Sequence, residues 1–158
     1  EHGLEKVHHY MSMLKQTAAD ALQTALKGID NQRFTTEEYL DDGHRIRVQI
    51  KIANGKIDID FDGTSGVHPG NLNANISIVY SAVIYVLRLL CEKEIPLNEG
   101  LMQKVHIHLP ISFLHPDFSD DDWQNPAVVG GNTEVSQRLV DTLLKAFGAS
   151  AAHVYTAK

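Results

Sequence analysis

Polar and apolar positions along this chain follow two different periods. Near the start, Leu4, Val7, Met11, Leu14, Ala18, Ala21 and Ala25 recur at alternating spacings of three and four. That spacing predicts one amphipathic helix with a single apolar seam, terminated in a left-handed conformation at Gly28. Ala fills the last three seam positions, so packing onto a sheet or a neighbouring helix suits it better than a coiled coil. From residue 46 the period changes to two. Ile46, Val48, Ile50 and Ile52 alternate with polar residues, and so do Ile57, Ile59 and Phe61. Between the two runs stands Ala53-Asn54-Gly55-Lys56, and Asn-Gly is the preferred central pair of a two-residue type I′ hairpin. The turn sets the register. Ile52 falls opposite Ile57, Ile50 opposite Ile59, and Val48 opposite Phe61, all on one face; Lys51 with Asp58 and Arg47 with Asp62 make charge pairs on the other. Residues 33–40 read as a third strand with weaker alternation.

A loop rich in Gly, Asn and Ser covers 63–75, where Asn73 or Asn75 can cap the element that follows. The apolar run 76–91 is rich in β-branched residues, but its length decides for a helix. It is shorter than the roughly 20 residues that span a bilayer, and reads as a buried core helix. Val105, Ile107 and Leu109 alternate with Lys104, His106 and His108, which predicts a fourth strand. Residues 110–125 form an irregular acidic loop carrying Asp117, Asp120, Asp121 and Asp122. Val135, Leu139, Val140, Leu143, Leu144 and Phe147 mark a final amphipathic helix. Asn132 or Thr133 can cap it, Glu134 suits the positive end of its dipole, and Gly148 ends it. This order predicts an α+β fold: a mostly antiparallel sheet, made of a three-strand meander plus a further strand, packed by three helices. Residues 1–158 suit one domain.

Composition narrows the picture further. Apolar residues at 43% and charged residues at 22% exclude a disordered chain. A net charge of −6, with no basic run interleaved with aromatics, argues against nucleic-acid binding. The single cysteine, Cys91, leaves no intrachain disulfide and no cysteine metal site, which points to a reducing, cytoplasmic compartment. No signal-peptide pattern opens the chain, and its first residue is Glu1 rather than Met, so an interior piece of a longer polypeptide is expected.

Two loops carry candidate chemistry. In Val128-Val129-Gly130-Gly131-Asn132-Thr133-Glu134, two glycines lead into a helix N-terminus, where backbone N–H groups can bind an anion. Without a Walker lysine or Gly-x-Gly-x-x-Gly, a tight strand-to-helix turn is the better local reading. In the second, Asp60-Phe61-Asp62-Gly63-Thr64-Ser65-Gly66 runs on toward Asn71, Asn73 and Asn75, so hydroxyls, amides and a carboxylate gather past a strand end. Arg47 already gives Asp62 a partner, and Ser65 lies in no Gly-x-Ser-x-Gly elbow. Nine histidines invite a metal. His106 and His108 share a strand face about 7 Å apart, but a third ligand would have to come from elsewhere, such as His115 or Asp117. His8 and His9 diverge on their helix. These read as surface histidines, and no metal site is assigned.

Two long stretches carry a family resemblance: GNLNANISIVYSAVIYVLRLLCEKEIPLNEG at 70–100 and NPAVVGGNTEVSQRLVDTLLKAFG at 125–148. Their most specific parts are Ile95-Pro96-Leu97-Asn98-x-Gly100 and Val129-x-Gly131-Asn132-x-Glu134-x-Ser136-Gln137-Arg138. Together with TTEEYLDDG and IRVQIKIANGKIDIDFDGTSG upstream, they resemble the B-type subunit of the hydantoinase/5-oxoprolinase family, which also includes a subunit of acetone carboxylase. Asn75 stands where the family often has Pro or Cys, and Gly66-Val67 where it often has Pro-Gln. The resemblance implies an interior fragment of an ATP-dependent hydrolase of cyclic amides such as hydantoin or 5-oxoproline. Its partner would be an A-type subunit or fused domain, with a homo-oligomer left open and neither nucleic acid nor membrane involved. ATP with Mg, and any divalent metal of the parent complex, are implied outside this segment, so no cofactor is expected within the chain. The fragment would supply scaffold, interface and one wall of the site, lined by Asp62, Asn73, Asn132 and Glu134, with no catalytic residue assigned. The alternatives are an assembly module with no site residues of its own, or part of an acetone-carboxylase-like enzyme.

Overall fold

The computed structural model describes residues 3–91, 95–120 and 122–148. Asn54 and Gly55 both take positive φ, 55° and 67°, so the type I′ turn forms between strands β2 (Arg45–Ala53) and β3 (Lys56–Asp60). The register follows: Ile52 pairs with Ile57, Ile50 with Ile59, and Lys51 with Asp58. Strand β1 (Arg33–Tyr39) pairs antiparallel with β2, and β4 (Val105–His108) pairs parallel with β3. The sheet order is therefore β1-β2-β3-β4, mostly antiparallel with one parallel edge. A parallel neighbour needs a long crossover. Here it contains helix α2 (Ile76–Leu89) and a 3-10 turn at Glu99–Met102.

Alternation in β2 and β3 becomes burial. Ile46, Val48, Ile50, Ile52, Ile57, Ile59 and Phe61 are all buried, while Lys51, Lys56 and Asp58 face outward. Helix α3 (Glu134–Ala146) lies across β1 and β2, and α2 packs on α3. Each buried Ile, Leu or Phe in this layer is worth about 1.5–3 kcal/mol relative to exposure. The expected α+β architecture, with three helices and a mostly antiparallel sheet, is the one observed.

Several local details differ from the sequence reading. Helix α1 (Leu4–Leu26) docks only through its C-terminal half: Ala18, Ala19, Leu22 and Leu26 are buried, while Leu4, Val7, Met11 and Leu14 are exposed. The docking point is the 3-10 turn. Asn98 donates to the Leu14 carbonyl at 3.2 Å, and Lys15 pairs with Glu99. That hydrogen bond from Lys15 holds the Glu99 carboxyl below its ordinary value. The left-handed residue after α1 is Asn31 (φ 59°), while Lys27 stays right-handed and Gly28 is not in positive φ. Asn75, rather than Asn73, caps α2, its side chain accepting from the Ile78 amide at 3.2 Å. At α3, Thr133 occupies the cap position without capping; its hydroxyl donates to the Gly130 carbonyl instead. Gly148 closes that helix at φ 66°. Asp121 of the acidic loop lies outside the described residues. No helix among them is long and apolar enough to cross a membrane.

Candidate functional site

Four loops meet at one end of the sheet, and each is held there by identifiable bonds. The turn between β1 and β2 closes through Leu40 N–H to the His44 carbonyl (2.8 Å) and Gly43 N–H to the Leu40 carbonyl (2.9 Å), with Gly43 at φ 91°. The loop after β3 continues the ladder of β2 with side chains. The Thr64 hydroxyl accepts from the Arg47 amide and donates to the Arg47 carbonyl, while Ser65 Oγ accepts from the Arg45 amide at 2.9 Å. Those hydroxyls replace the backbone partners that β2 would otherwise lack here. Phe113 N–H then bonds the Ser65 carbonyl, and Ala74 N–H bonds the Phe113 carbonyl, which brings in the third loop. The fourth is tied by Gly130 N–H to the Asn71 carbonyl at 2.9 Å.

Asn73 is the fully buried centre of this arrangement. Its Oδ1 accepts from the His68 amide at 2.8 Å. Its Nδ2 lies 3.0 Å from the His68 carbonyl, 3.1 Å from that of Gly70 and 3.0 Å from that of Ala127, which share its two protons. One carboxamide thus closes its own loop and joins it to the segment before Gly130.

Beside it lies a cluster that sequence reasoning missed. Asp42 Oδ2 is 2.6 Å from His68 Nε2 and 3.0 Å from His44 Nδ1. The imidazole centroids are 4.4 Å apart with planes tilted by 50°, and His44 meets the Phe113 ring edge-on. The tautomers follow from the donors. Gly70 N–H donates to His68 Nδ1 at 2.8 Å, so neutral His68 carries its proton on Nε2 and gives it to Asp42. An ionised Asp42 only accepts, so His44 donates from Nδ1 and keeps a lone pair on Nε2. Burial decreases from His68 to His44 to Asp42, with side-chain exposures of 12%, 24% and 37%. The signal in the sequence was an Asp-x-His pair around a turn glycine; nothing local ties it to His68.

The Asp42 carboxyl is held below its ordinary value, first by the hydrogen bond from the His44 amide, against some desolvation, and then by His68. A carboxyl with a lowered folded pKa adds stability above its unfolded pKa and loses it as pH falls through the folded value. The urea midpoint is therefore expected to fall below roughly pH 4, and Asp42→Asn should flatten that acid limb. An unchanged limb in the variant would remove Asp42 from the acid response.

The residues selected from the sequence fall in two layers. Asn73 is interior, while Asn132 and Glu134 are exposed where the 3-10 turn Val129–Asn132 enters α3. Asp62 is exposed just past β3. The charge pair expected between Arg47 and Asp62 does not form: Arg47 donates to the Asp62 backbone carbonyl at 2.6 Å, and its carboxylate partner is Glu37 at 3.6 Å. Strand pairing stops at Asp60, whose side chain accepts from the Asp62 amide, and Gly63 (φ 85°) turns the chain away. The amides of Gly130 and Gly131 are committed to the carbonyls of Asn71 and Val128. A Cβ on Gly131 would sit 2.2 Å from the Asn73 carbonyl oxygen, so these glycines serve a backbone crossing. His106 and His108 lie exposed on β4, with His106 3.8 Å from Asp58, and His115 Nδ1 is 3.1 Å from the Leu109 carbonyl.

Comparison with known proteins adds an independent finding. A model of the hydantoinase B/oxoprolinase family matches residues 1–158. The chain is 39% identical to a 5-oxoprolinase of Dictyostelium discoideum over 95% of its own length, and 36% identical to 5-oxoprolinase 1 of Arabidopsis thaliana over 96%. It spans 12% and 13% of those two proteins. The crystal structure of an ATP-dependent caprolactamase from Pseudomonas jessenii superposes with a TM-score of 0.72 at 19% identity, covering 94% of this chain and 27% of that one. At that identity the likeness shows a shared fold.

Proposed function

The chain belongs to the hydantoinase B/oxoprolinase family, and from that membership we propose that it is a segment of the B-type part of a cytoplasmic, ATP-dependent hydrolase that opens a cyclic amide such as 5-oxoproline or hydantoin. The family match along the whole chain, with 5-oxoprolinases among its relatives, carries this reading. ATP and Mg are assigned to an A-type partner or fused domain, as the family membership suggests.

Within that enzyme the four-loop end of the sheet serves as one wall of the substrate site. A ring amide offers one N–H donor and one C=O acceptor. The exposed Asn132 carboxamide can answer both, and the Glu134 and Asp62 carboxylates can accept from the N–H. Asn73 fixes the loops from beneath. The role of this wall is to bind and orient the ring, so its loss should appear mainly in KM. The test uses the full-length subunit with its A-type partner and follows ATP hydrolysis stimulated by the cyclic amide. Asn132→Ala with Glu134→Ala is expected to raise KM for the amide by about tenfold, equivalent to ~1.4 kcal/mol. Unchanged kinetics would leave these two residues outside the site.

One observation favours a second reading, in which the chain is an assembly module. The exposed Leu4, Val7 and Met11 on α1 form an apolar stripe suited to docking. Serine at these three positions should then release the partner, while the loop variants leave turnover intact.

A further inference from the structure

We propose that Asp42, His44 and His68 form an open binding site for one zinc-class divalent ion. His44 Nδ1 and His68 Nε2 both contact Asp42 Oδ2, and the ligand atoms of the three residues all lie within 4.8 Å of one another. Zinc holds N and O ligands at about 2.0–2.2 Å, which places them roughly 3.3 Å apart in a tetrahedron. The two contacts to Asp42 are 3.0 Å and 2.6 Å, so small side-chain rotations open the space the ion needs. Both ring nitrogens face the same Asp42 oxygen, from rings 4.4 Å apart and tilted by 50°. Two imidazoles with one carboxylate suit Zn, Co, Ni or Fe(II) and disfavour Mg and Ca. Three protein ligands on a partly exposed rim leave a fourth position for water.

The hydrogen-bond pattern dictates what must rearrange. His44 moves its proton from Nδ1 to Nε2, which faces no requirement to stay unprotonated. His68 moves its proton from Nε2 to Nδ1, because a neutral ring that ligates through Nε2 carries hydrogen on the other nitrogen. In both neutral rings the N–H proton shifts from one nitrogen to the other. The Nδ1 proton then opposes the Gly70 amide, which must leave His68 and turn to water. Gly70 is exposed, so water is within its reach. Metal uptake is thus coupled to one named backbone hydrogen bond, a signature that adventitious binding to surface histidines lacks. The site stands on this geometry and is independent of the reaction proposed above.

The experiment is a titration of the purified, tag-free, chelator-treated protein with Zn2+ and Co2+, followed by calorimetry and by the visible bands of Co2+. Amide NMR of Gly70 is recorded in parallel. One tight equivalent at this site is expected, beyond any ion held elsewhere in the full-length subunit, with a shift and faster exchange of the Gly70 amide as it fills, and no response of that amide to Mg2+. Asp42→Asn, His44→Gln and His68→Gln should each weaken binding beyond the roughly 10–100-fold that outer-shell changes produce, whereas His106→Ala with His108→Ala should not. Binding that survives the three substitutions, or that disappears with the His106/His108 pair, overturns the site. So does a Gly70 amide that is unchanged at saturating Zn2+ in the unaltered protein, a result that holds even if a variant misfolds.

Discussion

Replacing Gly131 by alanine should destabilise the protein by about 3 kcal/mol, near the top of the range for overpacking. The added Cβ would lie 2.2 Å from the Asn73 carbonyl oxygen and 2.7 Å from the Ala74 Cα, and both obstacles are backbone atoms. Neither can swing aside as a side chain would. Relief requires the segment 71–74 to separate from the segment 127–131, which strains the Gly130 amide bond to Asn71. For a chain of this size, 3 kcal/mol corresponds to a fall of about 6–12 °C in Tm. Gly66 is the control. Nothing lies within 4 Å of its added Cβ and its φ is not positive, so Gly66→Ala should stay within about 0.5 kcal/mol. Equal effects at the two positions would refute the close-crossing argument.

Asn73→Ala is expected to have a comparable effect, about 3 kcal/mol, for a different reason. The residue fills no large volume, but its side chain serves one amide and three carbonyls in a fully buried position. Each buried group stranded by truncation costs about 1–3 kcal/mol, and water entering the gap recovers part of the total. Asn73→Asp separates hydrogen bonding from size. It keeps the acceptor for the His68 amide but sets a carboxylate against three carbonyl oxygens, so it should be at least as harmful as alanine despite matching the native shape. A milder effect from Asp would mean that shape, and not the donated hydrogen bonds, holds this junction. Chemical denaturation measures both variants, and exchange of the His68 amide reports the junction directly.

What could be read from the sequence divides along physical lines. The hairpin was legible because two independent signals, the Asn54-Gly55 turn and the alternation from Ile46 to Phe61, demand the same register. Helix α2 was legible from length despite its β-branched residues. The parallel pairing of β4 was not, since periodicity assigns a face to a strand but not a neighbour. The Arg47–Asp62 pair was misread because register extrapolates only as far as the ladder continues, and the ladder ends at Asp60. Half of the seam on α1 stays exposed among the described residues because the turn at Glu99–Met102 bonds the helix at Leu14 and Lys15, past Leu4, Val7 and Met11. Asp42, His44 and His68 escaped notice because their meeting depends on bonds made elsewhere: Ser65 to Arg45, and Asn73 to His68. Among the residues taken from the sequence, Asn132 and Glu134 lie on an accessible rim, whereas Asn73 lies beneath it.

The parallel edge of the sheet also orders events in time. Neighbouring strands β1, β2 and β3 can find one another across short turns, on the timescale of hairpin formation. Strand β4 cannot align with β3 until the intervening crossover has condensed, and the entropy of closing that longer loop is lost before its contacts compensate. Assembly is therefore expected to start at Asn54-Gly55, with the crossover to β4 closing later, and low φ-values at β4 beside high ones in the hairpin would check that order.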